Sequence, residues 1–71
     1  MLDFLLAIKK TEHLKYESEA WWQASEHVWN AWLALTPAEI NTLYTNGEHA
    51  TLWWLETCYW WQESEWTEVN N

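Results

Sequence analysis

Apolar residues between positions 20 and 35 recur at the spacing of one helical face. The spacing is three or four residues, the period of an amphipathic helix, and the residues that follow it are Trp21, Ala24, Val28, Trp32 and Leu35. Gly and Pro are absent from residues 2–35, so nothing in the sequence forces a break there. The pattern predicts one long helix over about 2–35, with a polar and solvated middle at 9–19. A break within that middle is the alternative.

The only proline and the only glycine of the chain mark the boundaries of two further helices. Thr36 stands before the proline and three residues before Glu39, which is the arrangement of an N-cap with a capping box. A short helix is therefore predicted over about 37–46. Gly47 follows it and is suited to a left-handed helix cap, after which a third helix is predicted over about 48–68.

These elements predict an all-α fold, in which a long helix, a short helix and a third helix form an antiparallel helical hairpin within one domain of residues 1–71. At about 1.5 Å per residue, the first helix would be roughly 50 Å long and the third roughly 30 Å. The start of the long helix would then extend beyond its partner with its apolar side chains uncovered. Exposed apolar patches of this kind mark interfaces. A homodimer is therefore expected to cover Leu2, Phe4, Leu5, Leu6 and Ile8.

The third helix carries apolar residues on two opposite sides. With about 100° between successive residues, one face contains Leu52, Leu55, Tyr59 and Trp66. The opposite face contains the two Trp doublets, Trp53, Trp54, Trp60 and Trp61. A helix that is apolar all round is normally buried all round, and the rest of this short chain offers too little surface for both faces. The first face is expected to pack on the long helix, and the second on a partner.

The Trp doublets have two interpretations. Aromatic residues at helical spacing usually form a core or a dimer seam, and the sequence leaves this interpretation open. The functional interpretation is that the doublets anchor a partner protein, because Trp is enriched among the residues that dominate binding energy. Four carboxylates would then steer a basic partner toward the helix. The predicted partner-binding residues are Trp53, Trp54, Trp60, Trp61, Glu56, Glu63, Glu65 and Glu68.

Charge restricts the class of partner. The formal net charge is −8, there is no Arg, and all three Lys precede residue 16. Binding to nucleic acid requires Lys and Arg that neutralise phosphates, so DNA, RNA and anionic membranes are not expected partners. A basic protein surface, including one built to hold nucleic acid, is the expected partner.

The sequence does not indicate catalytic or cofactor chemistry. Cys58 is the only cysteine, which leaves no disulfide within the chain and no Cys-rich zinc site. Each His follows a Glu, and adjacent helical residues point about 100° apart, so these pairs are not joint metal ligands. A pairing of Cys58 with His27 or His49 stays geometrically open, but an apolar, acidic stretch raises the pKa of a thiol and makes it inert. We therefore expect no enzyme activity, no cofactor and no metal.

The start of the chain, MLDFLLAI, carries Asp3 where a signal peptide carries Lys or Arg, and no cleavage site follows. A cytoplasmic protein of the host cell is therefore expected. In size and charge the chain resembles the small acidic inhibitors that phages and mobile elements encode, among them the anti-CRISPR proteins. The resemblance implies a protein that binds a basic host protein and blocks or regulates it. The alternatives are an antitoxin that neutralises a basic toxin and a structural homo-oligomer whose Trp faces stack on each other.

Overall fold

A computed structural model of the chain describes the backbone of residues 1–70 and the side chains of residues 1–64. Four helices follow one another in this order: α1 Leu2–Glu12, α2 Glu19–Leu33, α3 Pro37–Asn46 and α4 His49–Asn70. The described residues contain no strand. The all-α class that the sequence predicts is therefore confirmed for the described chain.

The predicted long helix is two helices, and the prediction of one helix over 2–35 is wrong. The chain leaves α1 after Glu12 and enters α2 at Glu19. Within the connection, Glu17 adopts a left-handed backbone conformation with φ of 63°. Ser18 is the N-cap of α2, and its side-chain oxygen accepts a hydrogen bond from the backbone N–H of Trp21 at 3.2 Å. A serine followed by a helical stretch is an N-cap signal, and it is the local feature that marks this break.

Burial explains why the chain turns back instead of continuing. A left-handed conformation costs about 1–2 kcal/mol for a residue with a side chain. In return Phe4 and Ile8 become buried, and complete burial of such side chains stabilises a fold by about 1.5–3 kcal/mol each. The ring of Phe4 lies 6.5 Å from that of Trp32, near the far end of α2. The start of the first helix, which the sequence predicts to be uncovered, is therefore covered in part by its own chain.

Helix α3 has the bounds and the cap that its sequence predicts. The side-chain oxygen of Thr36 accepts a hydrogen bond from the Glu39 backbone N–H at 3.2 Å, and the Glu39 carboxylate accepts one from the Thr36 backbone N–H at 3.0 Å. Two hydrogen bonds hold the pKa of Glu39 below its ordinary 4.5. The larger effect comes from the backbone N–H of Thr36, and the terminal amine of Met1 adds to it. The amine lies 3.2 Å from the carboxylate.

Gly47 ends α3 in an extended conformation, with φ of −71° and ψ of 145°. The left-handed cap that the sequence predicts here is wrong. Glycine is required for another reason: a Cβ at this position would overlap the backbone carbonyl oxygen of Leu43. A side chain is excluded because the backbone passes close to its own preceding turn, and not because φ is positive.

One core joins all four helices. The buried apolar residues are Phe4, Ala7, Ile8, Trp21, Val28, Trp32, Leu43, Trp54, Leu55 and Cys58. Two buried hydroxyls, those of Thr11 and Ser25, donate to backbone carbonyls at 2.6 and 2.7 Å. Buried polar groups need such partners, and every buried side-chain polar atom in the described part of the chain has one. No helix in that part is both long enough and apolar enough to cross a bilayer.

Aromatic contacts join α2 to α4 at several points along both helices. Trp21, near the start of α2, stacks on Trp54 with ring centroids 5.5 Å apart. Trp32, near the end of α2, contacts Tyr59 at 4.8 Å and donates its indole N–H to the Gln62 side chain at 3.3 Å. Trp22 and Trp29, from the two halves of α2, both contact Trp61, at 6.5 and 6.2 Å, and the antiparallel hairpin stays a prediction.

Candidate aromatic binding surface

The buried side of α4 lies between the two faces that the sequence predicts. Thr51, Trp54, Leu55 and Cys58 are buried, at the i, i+3, i+4, i+7 spacing of one helical stripe. The stripe takes Leu55 from one predicted face and Trp54 from the other. Because α1, α2 and α3 all contact α4, the centre of its buried side lies between the two apolar sectors. The predicted division of α4 into a Leu/Tyr face and a Trp face is therefore wrong.

The four Trp residues of the doublets have different environments. Trp54 is only 3% exposed and stacks on Trp21. Trp61 is half-buried, with its ring 5.7 Å from that of Trp54, 6.2 Å from that of Trp29 and 6.5 Å from that of Trp22. Trp54 is thus a core residue that cannot dock a partner directly, and Trp61 borders the core.

Trp53 and Trp60 point outward. The side chain of Trp53 is 42% exposed and that of Trp60 is 70% exposed. Glu56 and Glu63, also exposed, lie on the same side of the helix. In chain order the four residues are Trp53, Glu56, Trp60 and Glu63, at spacings of three, four and three. We call them the outer row of α4. The two indoles are about 10 Å apart along the helix axis. Glu65 and Glu68, which were also predicted to contact a partner, lie outside the residues whose side chains are described.

The outer row combines features of a docking surface. An exposed indole presents a large, rigid apolar plate to water, and such groups are enriched where proteins bind each other. Each Trp of the row stands three residues before a Glu, on the neighbouring helical turn. No Lys or Arg occurs anywhere in α4. The row can therefore bury apolar area and attract positive charge at the same time.

A notch adjoins Trp53 at the end of α1. It encloses about 270 Å³. Tyr16 forms one exposed wall, with its ring 6.4 Å from that of Trp53 and 4.9 Å from that of Trp21. The residues that line it are Thr11, Glu12, Leu14, Tyr16, Trp21, His49, Ala50, Trp53 and Trp54. The sequence pattern places Tyr16 in a solvated helical stretch and does not predict this role. The feature of the sequence that could have indicated this role is an aromatic residue within an otherwise polar segment.

Of the residues predicted for self-association, some lie in the core and others are exposed, as is also true of the Trp doublets. Phe4 and Ile8 belong to the core of their own chain, so they are not available to a second copy. Leu2 and Leu6 are exposed and Leu5 is half-buried. These three line a groove of about 450 Å³ between α1, α3 and the start of α4. Self-association through the three leucines stays a prediction.

Cys58 is fully buried in the inner side of α4. Burial raises the pKa of its thiol to about 12, so its reactive thiolate form is scarce at neutral pH. Both His27 and His49 are exposed. Among the described residues, no three His, Cys, Asp or Glu side chains come together where they could hold a metal ion.

The chain matches no protein-family model, no curated protein and no solved structure. A functional assignment therefore depends on the shape and charge of the surfaces described above. Of these surfaces, the outer row of α4 has the most exposed aromatic side chain in the described part of the molecule, Trp60.

Proposed function

We propose that this protein is a small acidic inhibitor or regulator that docks on a basic host protein through the outer row of α4. The observation that carries the proposal is the arrangement of that row. Trp53 and Trp60 are exposed on one side of a helix whose other side is buried, and Glu56 and Glu63 accompany them. A role like that of phage-encoded inhibitors such as the anti-CRISPR proteins agrees with the size and charge of the chain.

The exposed indoles supply the binding energy in this proposal. A Trp side chain removes roughly 150–250 Å² from water when it is buried. Trp60 is anchored on a helix that is held by the core, so little conformational freedom is lost when a partner covers it. A residue of this kind contributes about 2 kcal/mol or more to binding when it fills a pocket of the partner.

Charge favours a basic partner over a second copy of this chain. A symmetric seam between two α4 helices would place the carboxylates of one outer row beside those of the other, and like charges at close range oppose association. Each copy also has a formal net charge of −8, so two copies repel each other at a distance. A basic surface reverses both effects.

The same charge predicts how binding responds to salt. Long-range attraction between an acidic and a basic protein raises the association rate, and salt screens it over about 8–10 Å at ionic strengths of 0.1–0.15 M. The apolar contacts of Trp53 and Trp60 depend much less on salt. Salt should therefore slow association more than it accelerates dissociation. An antitoxin would use the same surface, and only the identity of the captured protein separates it from other inhibitors.

The test is capture of partners from the native host on the immobilised protein, with quantitative mass spectrometry. Trp60→Ala is the diagnostic variant. Leu33→Ala is the matched control, because Leu33 is 60% exposed but lies on α2, outside the row. We expect a basic protein that wild type and Leu33→Ala retain and that Trp60→Ala loses. Capture that Trp60→Ala leaves unchanged, or captured proteins that are acidic, would contradict the proposal.

A further inference from the structure

We infer that the notch between α1 and α4 binds the guanidinium group of an arginine side chain on the basic partner. The inference rests on the proposed function in one respect, that the arginine is supplied by a protein. The notch itself is defined by its aromatic walls, its carboxylate and its position beside the outer row. Trp53 belongs to both the notch and the outer row, so a single partner can contact the row and place a side chain in the notch.

Four of the nine residues that line the notch are Tyr or Trp. Trp21 and Trp54, both buried, form its inner part and stack on each other at 5.5 Å. Tyr16 and Trp53 are the exposed walls, and their ring planes meet at 68°. Both side chains are partly exposed, so each ring offers open surface on which a flat group can lie. Cations bind favourably on such faces within about 6 Å of the ring centre.

An acidic residue lies among the aromatic residues that line the notch. Glu12, the last residue of α1, lines the notch. Among the described residues, the Glu12 carboxylate makes no ion pair. The pairing with Lys15 that a continuous helix would provide is absent, because α1 ends at Glu12. Lys15 is not among the residues that line the notch. A cation in the notch would therefore lie beside a residue whose carboxylate its own chain has not neutralised.

These features favour guanidinium over ammonium. A guanidinium group is planar, stacks on aromatic rings and can donate two parallel hydrogen bonds to one carboxylate. It is also more weakly hydrated than an ammonium group, so it loses less when it enters the notch. The ammonium of lysine is a compact, strongly hydrated charge that suits this site less well.

Titration with short peptides tests the inference before any partner is identified. The probe is a tetrapeptide of arginine with blocked ends, followed through the indole N–H signals of Trp53, Trp21 and Trp54 in two-dimensional NMR spectra. The citrulline tetrapeptide is the neutral control of the same shape, and the lysine tetrapeptide has the same charge. We expect the arginine peptide to shift these signals, the lysine peptide to bind more weakly, and the citrulline peptide not to bind.

Variants separate the notch from general attraction to an acidic protein. Tyr16→Leu and Glu12→Gln should each weaken binding of the arginine peptide roughly two- to fivefold, as expected for one exposed cation–aromatic or ion-pair contact. Tyr16→Phe keeps the ring and should restore binding. Glu19→Gln removes the same charge outside the notch and should change binding little. Equal effects of Glu12→Gln and Glu19→Gln, no effect of Tyr16→Leu, or equal binding of lysine and arginine peptides would overturn the inference.

The same variants distinguish failure of the notch from failure of the proposed function. Trp60 does not line the notch, so Trp60→Ala should reduce capture of the partner while leaving peptide binding unchanged. If Tyr16→Leu and Glu12→Gln capture the partner as wild type does, the notch is not used and the outer row still is. If the peptides bind at the notch but no captured protein depends on Trp60, the notch stands and the proposed function fails.

Discussion

Trp54 and Trp60 lie on the same helix and differ only in where the rest of the chain packs. Trp54 is 3% exposed and stacks on Trp21, whereas Trp60 is 70% exposed. They are about 120° apart around the axis of α4, and that angle separates a core residue from a surface residue. The inner side of α4 holds the fold together, and the outer row faces solvent. Substitutions on the two sides should therefore affect different properties, stability on the inner side and binding on the outer side.

The largest predicted difference between the two sides is in stability. Trp54→Ala should lower the free energy of unfolding by about 3–5 kcal/mol, because it leaves a cavity in the core. Trp60→Ala should change it by less than about 0.5 kcal/mol. Urea denaturation followed by circular dichroism measures both. Trp54→Phe provides a milder variant if Trp54→Ala does not fold, and similar effects of Trp54 and Trp60 substitutions would contradict the assigned environments.

Trp61 provides an intermediate case that sharpens the comparison. It is half-buried between the rings of Trp54 and Trp22. Because part of its surface is already covered, Trp61→Ala should destabilise the fold by about 2 kcal/mol, between the values for Trp54 and Trp60. The same denaturation series measures it. A value as small as that of Trp60→Ala would mean that the aromatic contacts of Trp61 contribute nothing to the fold.

The pH dependence of the unfolding free energy tests whether Cys58 is buried on the inner side of α4. Burial raises the pKa of its thiol in the folded state from 9.0 to about 12. Its contribution to stability is therefore fully present below pH 9 and is lost as pH rises from 9 toward 12, when only the unfolded chain releases the proton. Above pH 9, the difference in unfolding free energy between wild type and Cys58→Ala should shrink by up to about 1.4 kcal/mol per pH unit. A difference that stays constant would show a thiol open to solvent.

The smallest predicted effect concerns Glu56 on the outer row. Glu56→Gln should slow association with the basic partner by about two- to fivefold at low salt and should leave dissociation nearly unchanged. It should not change the free energy of unfolding by more than about 0.5 kcal/mol. Surface plasmon resonance at two salt concentrations measures both rates. An effect confined to dissociation would indicate a close ion pair instead of long-range steering.

The sequence predicts elements whose cause is local and misses those whose cause is tertiary. The capping box of Thr36 and Glu39 lies within four residues, and it gives the start of α3 correctly. The break before α2 depends on the burial of Phe4 and Ile8 against distant residues. Its only local sign is the N-cap Ser18, which does not outweigh the absence of Gly and Pro. The end of α3 at Gly47 is predicted, but its reason, the nearby Leu43 carbonyl, requires the three-dimensional path of the chain.

The same distinction applies to the candidate site. A helical wheel shows that α4 is apolar on two sides, but the positions of α1, α2 and α3 decide which residues become core. Trp53 and Trp60 are correctly placed in one sector, and Trp54 is placed with them because its indole looks the same in sequence. Tyr16 could not be connected to Trp53 from the sequence, because a continuous first helix would have carried it elsewhere.

The most direct test of the comparison is the dissociation constant of the captured partner for Trp60→Ala relative to Leu33→Ala. Both side chains are well exposed, and neither substitution should disturb the core. Isothermal titration calorimetry with the purified partner gives the two values under identical conditions. We predict that Trp60→Ala binds about 30-fold more weakly, which corresponds to about 2 kcal/mol, and that Leu33→Ala binds as wild type does. Equal dissociation constants for the two variants would contradict the account.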